Sequence, residues 1–203
     1  MFLPVIGVEV GGVVSIVTWA AHLFGHAHQW AGPAAVAANV AANHLAAHAV
    51  YATDRVADFD EGQRKTPELD AFIGENRDAV AGTAGAAALA WLAYQALRGD
   101  PLRSVAFVEI MARYRDFKKR FPLLKPYLVG GSMTFLTESG MGATERVSCA
   151  LVLSAASSLA DIRDVDADEA VGVRTLPVVT GRGPAAGVAV AQVLAALAIL
   201  VVT

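Results

Sequence analysis

Cysteine, charge and aromatic side chains are all scarce in this chain of 203 residues. A single cysteine, Cys149, rules out a disulfide framework and a cysteine-based zinc site. Asp, Glu, Lys and Arg make up 17% of residues, against about 25% in an ordinary soluble domain. The few charges are also unevenly spread. None occurs in the 44 residues from Val10 to Thr53, the 19 from Ala79 to Leu97 or the 21 from Gly183 to Thr203. A helix rises about 1.5 Å per residue, so about 20 such residues cross the roughly 30 Å hydrocarbon core of a bilayer. A net charge of −3, with basic residues clustered locally, carries no polyanion-binding signature and argues against nucleic acid as a partner. A soluble enzyme and a disordered chain are disfavoured on the same composition. It predicts an all-α, polytopic transmembrane bundle in contact with the lipid bilayer.

The expected spans are roughly 2–24, 30–53, 79–98, 101–113, 121–140, 143–160 and 184–203, seven in all, forming a single domain over 1–203. Breaks fall at Gly25–His28, Asp58–Asp78, Gly99–Pro101, Gly140–Gly142 and Asp161–Arg174. The N-terminus lacks the basic n-region of a cleavable signal peptide and reads as the start of the first span. The fourth span is short and holds Arg103 and Glu109, but charge asymmetry argues that it crosses. With that crossing, all 16 basic residues except Arg98, Arg103 and Arg146 share one face, which the positive-inside rule makes cytoplasmic. The N-terminus then lies inside and the C-terminus outside, in a multi-pass protein of the cell membrane. No internal repeat and no low-complexity linker stands out.

Two acidic clusters fall at the cytoplasmic mouth of this topology. Asp54, Asp58 and Glu61 are spaced i, i+4, i+7 at the end of the second span, on one face of a continuing helix. Asp161, Asp164 and Asp168 repeat the pattern as i, i+3, i+7 at the end of the sixth. Acids at the edge of a low-dielectric bundle are costly and are usually functional. Two such clusters repel unless positive charge lies between them. Mg²⁺ held by a few carboxylates plus substrate phosphates fits that need. The plainer alternative is solvated loop acids just outside the membrane. Between them in sequence, residues 113–120 carry five cations, most of them ordinary positive-inside anchors. One or two facing inwards beside a metal–diphosphate complex neutralise leaving-group charge. Lys118, four residues after Tyr114 on the same helical face, is the first choice.

These residues resemble the UbiA-type superfamily of intramembrane prenyltransferases. Asp54 and Asp58 match the acids of its first motif, NxxxDxxxD, and Tyr51–Arg55 carries the Tyr-x-x-Asp-Arg form seen in part of the family. The second motif is matched by DIRDVDADEAVGVRTLPVVTG, residues 161–181, with Asp164 and Asp168 at its DxxxD acids. The family's Tyr-x-x-x-Lys appears as Tyr114 to Lys118. The resemblance implies a helical bundle whose Asp motifs hold Mg²⁺, with Asp54, Asp58, Asp164 and Asp168 catalytic and Asp161 and Glu61 joining them as ligands. It implies a prenyl diphosphate donor, a lipophilic and commonly aromatic acceptor, and Arg55, Tyr114, Lys118, Arg120 and Arg174 as diphosphate-binding candidates. The family's motif Asn falls on Val50. The family fold has nine helices, so the resemblance is to a shortened or C-terminally truncated member.

Smaller signals are open to plainer readings. His22/His26 and His44/His48 are i, i+4 pairs that could hold a metal, or else make polar contacts within the bundle. His48 lies about 9 Å above Asp54 by helical rise and is an acceptor-pocket candidate. Trp19 and Trp30 read as interfacial anchors. Gly130–Gly131 reads as a close-packing point between helices. Glu9 and Glu138 are buried-acid candidates without a partner. The leading expectation is Mg²⁺-dependent transfer of an isoprenyl chain to a lipophilic acceptor. The alternatives are a membrane terpene cyclase using the same site, a cation transporter, and a non-catalytic relative.

Overall fold

Proline punctuates the chain. Seven of its eight prolines fall among the described residues, and each lies within the first three positions of a helix, where a missing N–H costs nothing. The computed structural model describes residues 33–64, 66–99, 101–134 and 142–202. These form helices α1 (Pro33–Asp60), α2 (Pro67–Leu97), α3 (Pro101–Arg120), α4 (Lys125–Met133), α5 (Ala143–Arg163), α6 (Val165–Ala170), α7 (Leu176–Thr180) and α8 (Arg182–Val202). A 3-10 turn, Pro122–Leu124, precedes α4, and no strand occurs among the described residues. Among the described residues the fold is all-helical. The first expected span, the start of the second and the end of the fifth lie outside the described residues, as do Glu9, Trp19, His22, His26, His28, Trp30 and Glu138.

The chain divides into two compact units, with the boundary inside α3 between Val105 and Ala106. In the first, α1 packs along α2. Ala52 and Val56 of α1 meet Ile73, Val80 and Ala84 of α2, flanked by Phe59, Leu69 and Phe72. α2 begins inside the stretch expected to be a polar break. Thr66 caps it, its Oγ1 accepting from Leu69 N at 3.3 Å, Pro67 takes the first position, and Glu68 and Asp70 complement the positive end of the helix dipole. A kink at Asn76 follows, where the carboxamide donates to the Phe72 carbonyl at 2.9 Å.

In the second unit α5 is central, packed by α4 and by α8. α8 presents Ala185, Ala189, Gln192 and Ala196 inwards, an i, i+4, i+7, i+11 stripe of mostly small residues that lets backbones approach. Its other face leaves Val190, Val193, Leu194, Leu197, Val201 and Val202 exposed. α2 and α8 are long and apolar enough to cross a membrane. They correspond to the expected spans 79–98 and 184–203. α1, α3 and α5 do not meet that criterion. The apolarity of α1 is diluted by Asn39, Asn43, His44 and His48. α3 runs on through the basic cluster to Arg120 instead of stopping near residue 113.

α4 approaches α5 most closely at Gly130. A Cβ there would overlap the Ala150 carbonyl oxygen and the Ser154 hydroxyl, and would lie 2.8 Å from the Ser154 nitrogen. A Cβ at Gly131 meets nothing within 4 Å. Only the first of the two glycines is therefore a packing requirement. Gly130→Ala should destabilise the protein by about 1–3 kcal/mol or more, since backbone atoms must move, and Gly131→Ala should leave it unchanged or slightly more stable. Thermal unfolding of both variants in detergent measures the difference.

Candidate functional site

Each unit holds one acid cluster. In the first, the last turns of α1 carry Tyr51, Asp54, Arg55 and Asp58. Asp58 is only 2% exposed. The Arg55 Nη2 lies 3.1 Å from an Asp54 oxygen and 3.0 Å from an Asp58 oxygen, and its guanidinium sits 5.2 Å from the centre of the Tyr51 ring. Burial works against the Arg55 charge, but the two carboxylates outweigh it and hold the guanidinium above its ordinary value. Arg55 Nε is buried and makes no hydrogen bond. Glu61 is exposed beyond the end of α1, so the expected three-acid face reduces to two acids, Asp58 buried and Asp54 part-buried.

In the second unit Asp161, near the end of α5, and Asp168, in α6, are each 2% exposed. The Lys125 ammonium, from the first residue of α4, pairs with Asp161 and also interacts electrostatically with Asp168 and Tyr114. Asp168 accepts a 3.2 Å hydrogen bond from the hydroxyl of Thr175, which is completely buried. Asp164 sits at the junction of α5 and α6, where it pairs with Arg163 at 2.9 Å. Helical bonding persists across that junction, from Asp164 N to the Ala160 carbonyl and from Asp168 N to the Asp164 carbonyl. Asp161 and Asp168, two turns apart, both stay buried, whereas Asp164 is partly exposed. Tyr114 and Lys118 are buried in this unit, while Arg120, beside Phe121, and Arg174 are exposed.

The two clusters are built the same way. Segments 54–67 and 164–177 share Asp, Ala, Asp, Gly, Arg and Pro at the same offsets, as D-x-x-A-D-x-x-x-G-x-R-x-x-P. No repeat was expected from the sequence, and the shared local geometry exposes it. In each copy a glycine with positive φ, Gly62 at 82° and Gly172 at 74°, ends the acid-bearing helix. Its N–H bonds back to the Phe59 or Glu169 carbonyl at 3.0 Å. The next N–H, of Gln63 or Val173, reaches the carbonyl of Asp58 or Asp168 at 2.8 Å. This is the Schellman cap, for which glycine is favoured because it has no Cβ. Both deep aspartates thus sit in the last turn of a capped helix, followed by a helix with proline in its first two positions.

Sequence reasoning missed Lys125, which it counted only among the basic residues of the cytoplasmic face. Its signal was weak, because the pairing with Asp161 spans 36 residues. His48 lies between α1 and α2, with Nε2 3.4 Å from Thr83 Oγ1. The Thr83 hydroxyl donates to the Val80 carbonyl at 2.9 Å, so His48 Nε2 is the donor of the pair.

Among the described residues no three His, Cys, Asp or Glu side chains form a group that could hold a metal ion. Each cluster offers two closely placed buried or part-buried carboxylates with a cation against them. Both pairs are already engaged by a cation of the chain itself. Comparison with family models, curated proteins and solved structures gives no match.

The Thr175 hydroxyl donates to the buried Asp168 carboxylate. Replacing it with an isosteric methyl leaves a buried carboxylate oxygen short of one donor. Thr175→Val should cost about 1–3 kcal/mol, read as a shift in the denaturant midpoint of the detergent-solubilised protein.

Proposed function

We propose that this chain is a UbiA-like intramembrane prenyltransferase that uses Mg²⁺ to move an isoprenyl chain from its diphosphate to a lipophilic, aromatic acceptor. The observation that carries this reading is the pair of glycine-capped acid segments, each ending in an aspartate that is 2% exposed with a cation against the cluster. Buried oxygen donors beside cations are the groups that a site handling a metal–diphosphate complex uses. In this reading the bundle has seven spans, its acid clusters open to the cytoplasmic face, and the prenyl tail lies among apolar helices.

Asp54 and Asp58 in one cluster, and Asp161, Asp164 and Asp168 in the other, would hold the ions. Bound Mg²⁺ supplies Lewis-acid stabilisation of the departing diphosphate. In this reading, as the resemblance implies, Arg55, Tyr114, Lys118 and the exposed Arg120 and Arg174 contribute contacts to diphosphate oxygens, and apolar walls keep water away from the allylic cation. His48, its ring bonded to Thr83, lies about 9 Å from Asp54 along α1 by helical rise and faces the acceptor in this scheme. Exposed apolar side chains along α8 support lipid contact for the unit that carries the second cluster.

Isothermal titration of geranylgeranyl diphosphate into the detergent-solubilised protein tests the reading. Binding should require Mg²⁺ and should weaken at least about tenfold, or 1.4 kcal/mol, in Asp54→Ala and in Asp168→Ala. Absence of binding would remove the diphosphate site, and metal-independent binding would remove Mg²⁺ from it. A product formed from the donor alone would instead indicate a cyclase.

A further inference from the structure

The acid clusters do not account for Gln192. The buried residues of α8, which packs on α5, are Ala185, Ala189, Gln192 and Ala196, so Gln192 is the only long side chain among them. It is 5% exposed, and neither its Oε1 nor its Nε2 has a hydrogen-bond partner among the described residues. A carboxamide carries two N–H donors and an oxygen with two lone pairs, and leaving all of them unmade away from water is costly. A fourth alanine would continue the stripe without that cost. Ser148 of α5 is a second case. It is 3% exposed and its hydroxyl has no partner among the described residues. Ser154 and Ser158 on the same helix instead donate to the carbonyls four residues earlier, at 2.7 and 3.0 Å. Two helices in contact thus each bury a polar group that the described residues leave unfilled.

The surroundings of Gln192 narrow the chemistry of what fills it. α8 has 21 residues, about 32 Å by helical rise, and Gln192 is its central residue, about 15 Å from either end. No charged residue occurs from Gly183 to Thr203. A charged ligand at this depth loses its water and finds no counter-charge on the helix, so the ligand is neutral. A carbonyl or ether oxygen accepts from Nε2 but leaves Oε1 unpaired. A hydroxyl accepts from Nε2 and donates to Oε1, and it is the smallest neutral group that does both. Alanine methyls bury little apolar area, so parting α8 from α5 here sacrifices less than parting a leucine seam. The outer face of α8, with Val193 and Leu197 exposed, borders the apolar phase from which such a ligand arrives.

We propose that the seam between α8 and α5 binds the hydroxyl of a neutral lipophilic molecule, held by the carboxamide of Gln192. The inference is independent of the reading of the acid clusters as a diphosphate site. Water offers the same hydrogen-bonding chemistry as a hydroxyl, and the experiment separates the two sources.

The test uses the full chain in detergent with two probes of the same alkyl chain, 1-decanol and decyl methyl ether. The rise in Tm with probe concentration gives the half-saturating concentration of each. Wild type should bind decanol at least about tenfold more tightly than the ether, which is the worth of one hydrogen bond to a buried group. Gln192→Leu should lower that ratio to about one. Partitioning of the probes into micelles is common to both proteins and cancels when the ratios are compared. A wild-type ratio near one overturns the inference, and a lower Tm of Gln192→Leu in that case identifies water as the partner. A ratio retained in Gln192→Leu also overturns it, because the hydroxyl is then read elsewhere. If Gln192→Leu does not unfold cooperatively, Gln192→Met, of similar length and without donors, takes its place. None of these outcomes bears on the binding of geranylgeranyl diphosphate.

Discussion

A carboxylate buried in the last turn of a helix meets three penalties at once. It loses water, it faces the negative end of the helix dipole, and here it stands near a second carboxylate. Asp58 and Asp168 are both in that position, and much of the surrounding structure follows from it. Arg55 lies against Asp54 and Asp58 within α1, and Lys125 reaches Asp161 from α4. Thr175, itself without exposure, turns its hydroxyl to Asp168. The glycine caps at Gly62 and Gly172 take up the last carbonyls of the two helices and turn the chain away. Removing one partner of such a pair is far more damaging than never having formed it, which locks each cluster and its cation together as a unit.

The second cluster also depends on close helix packing. Lys125 is the first residue of α4, and α4 is held against α5 at Gly130, where no side chain fits. The same short helix therefore places a backbone contact and a charge contact on α5. α8 covers another part of α5 with alanines and leaves its larger aliphatic side chains outside. Small residues inside and branched apolar residues outside are the reverse of a soluble helix. That pattern suits an environment in which lipid covers the outer face. The two helices that are long and apolar enough to cross a membrane lie one in each unit.

Several features were legible in the sequence. The helical class, the apolar stretches of α2 and α8, the close approach at Gly130 and the pairing of acids at i, i+4 all follow from composition and periodicity. Other features were not. The start of α2 at Pro67 was hidden because its first turns are polar, and a cap-and-proline signal at Thr66–Pro67 outweighs hydropathy there. The repeat of segments 54–67 and 164–177 was present as six identities in 14 positions but is too short to stand out without the shared glycine cap. Glu61 seemed to belong with Asp54 and Asp58 only on the assumption that α1 continues, and α1 stops one residue earlier.

Local chemistry determined where helices begin and end, which faces are apolar and which acids lie a turn apart, because those properties are set by residues within a few positions of each other. Tertiary structure decided which cation meets which acid. Arg55 was adjacent to its partners and visible. Lys125 and Asp161 are 36 residues apart, and Lys118 was the more plausible choice by spacing alone. The packing of α4 on α5 brings Lys125 to Asp161, because a charge pair depends on distance in space, and sequence separation says nothing about that distance.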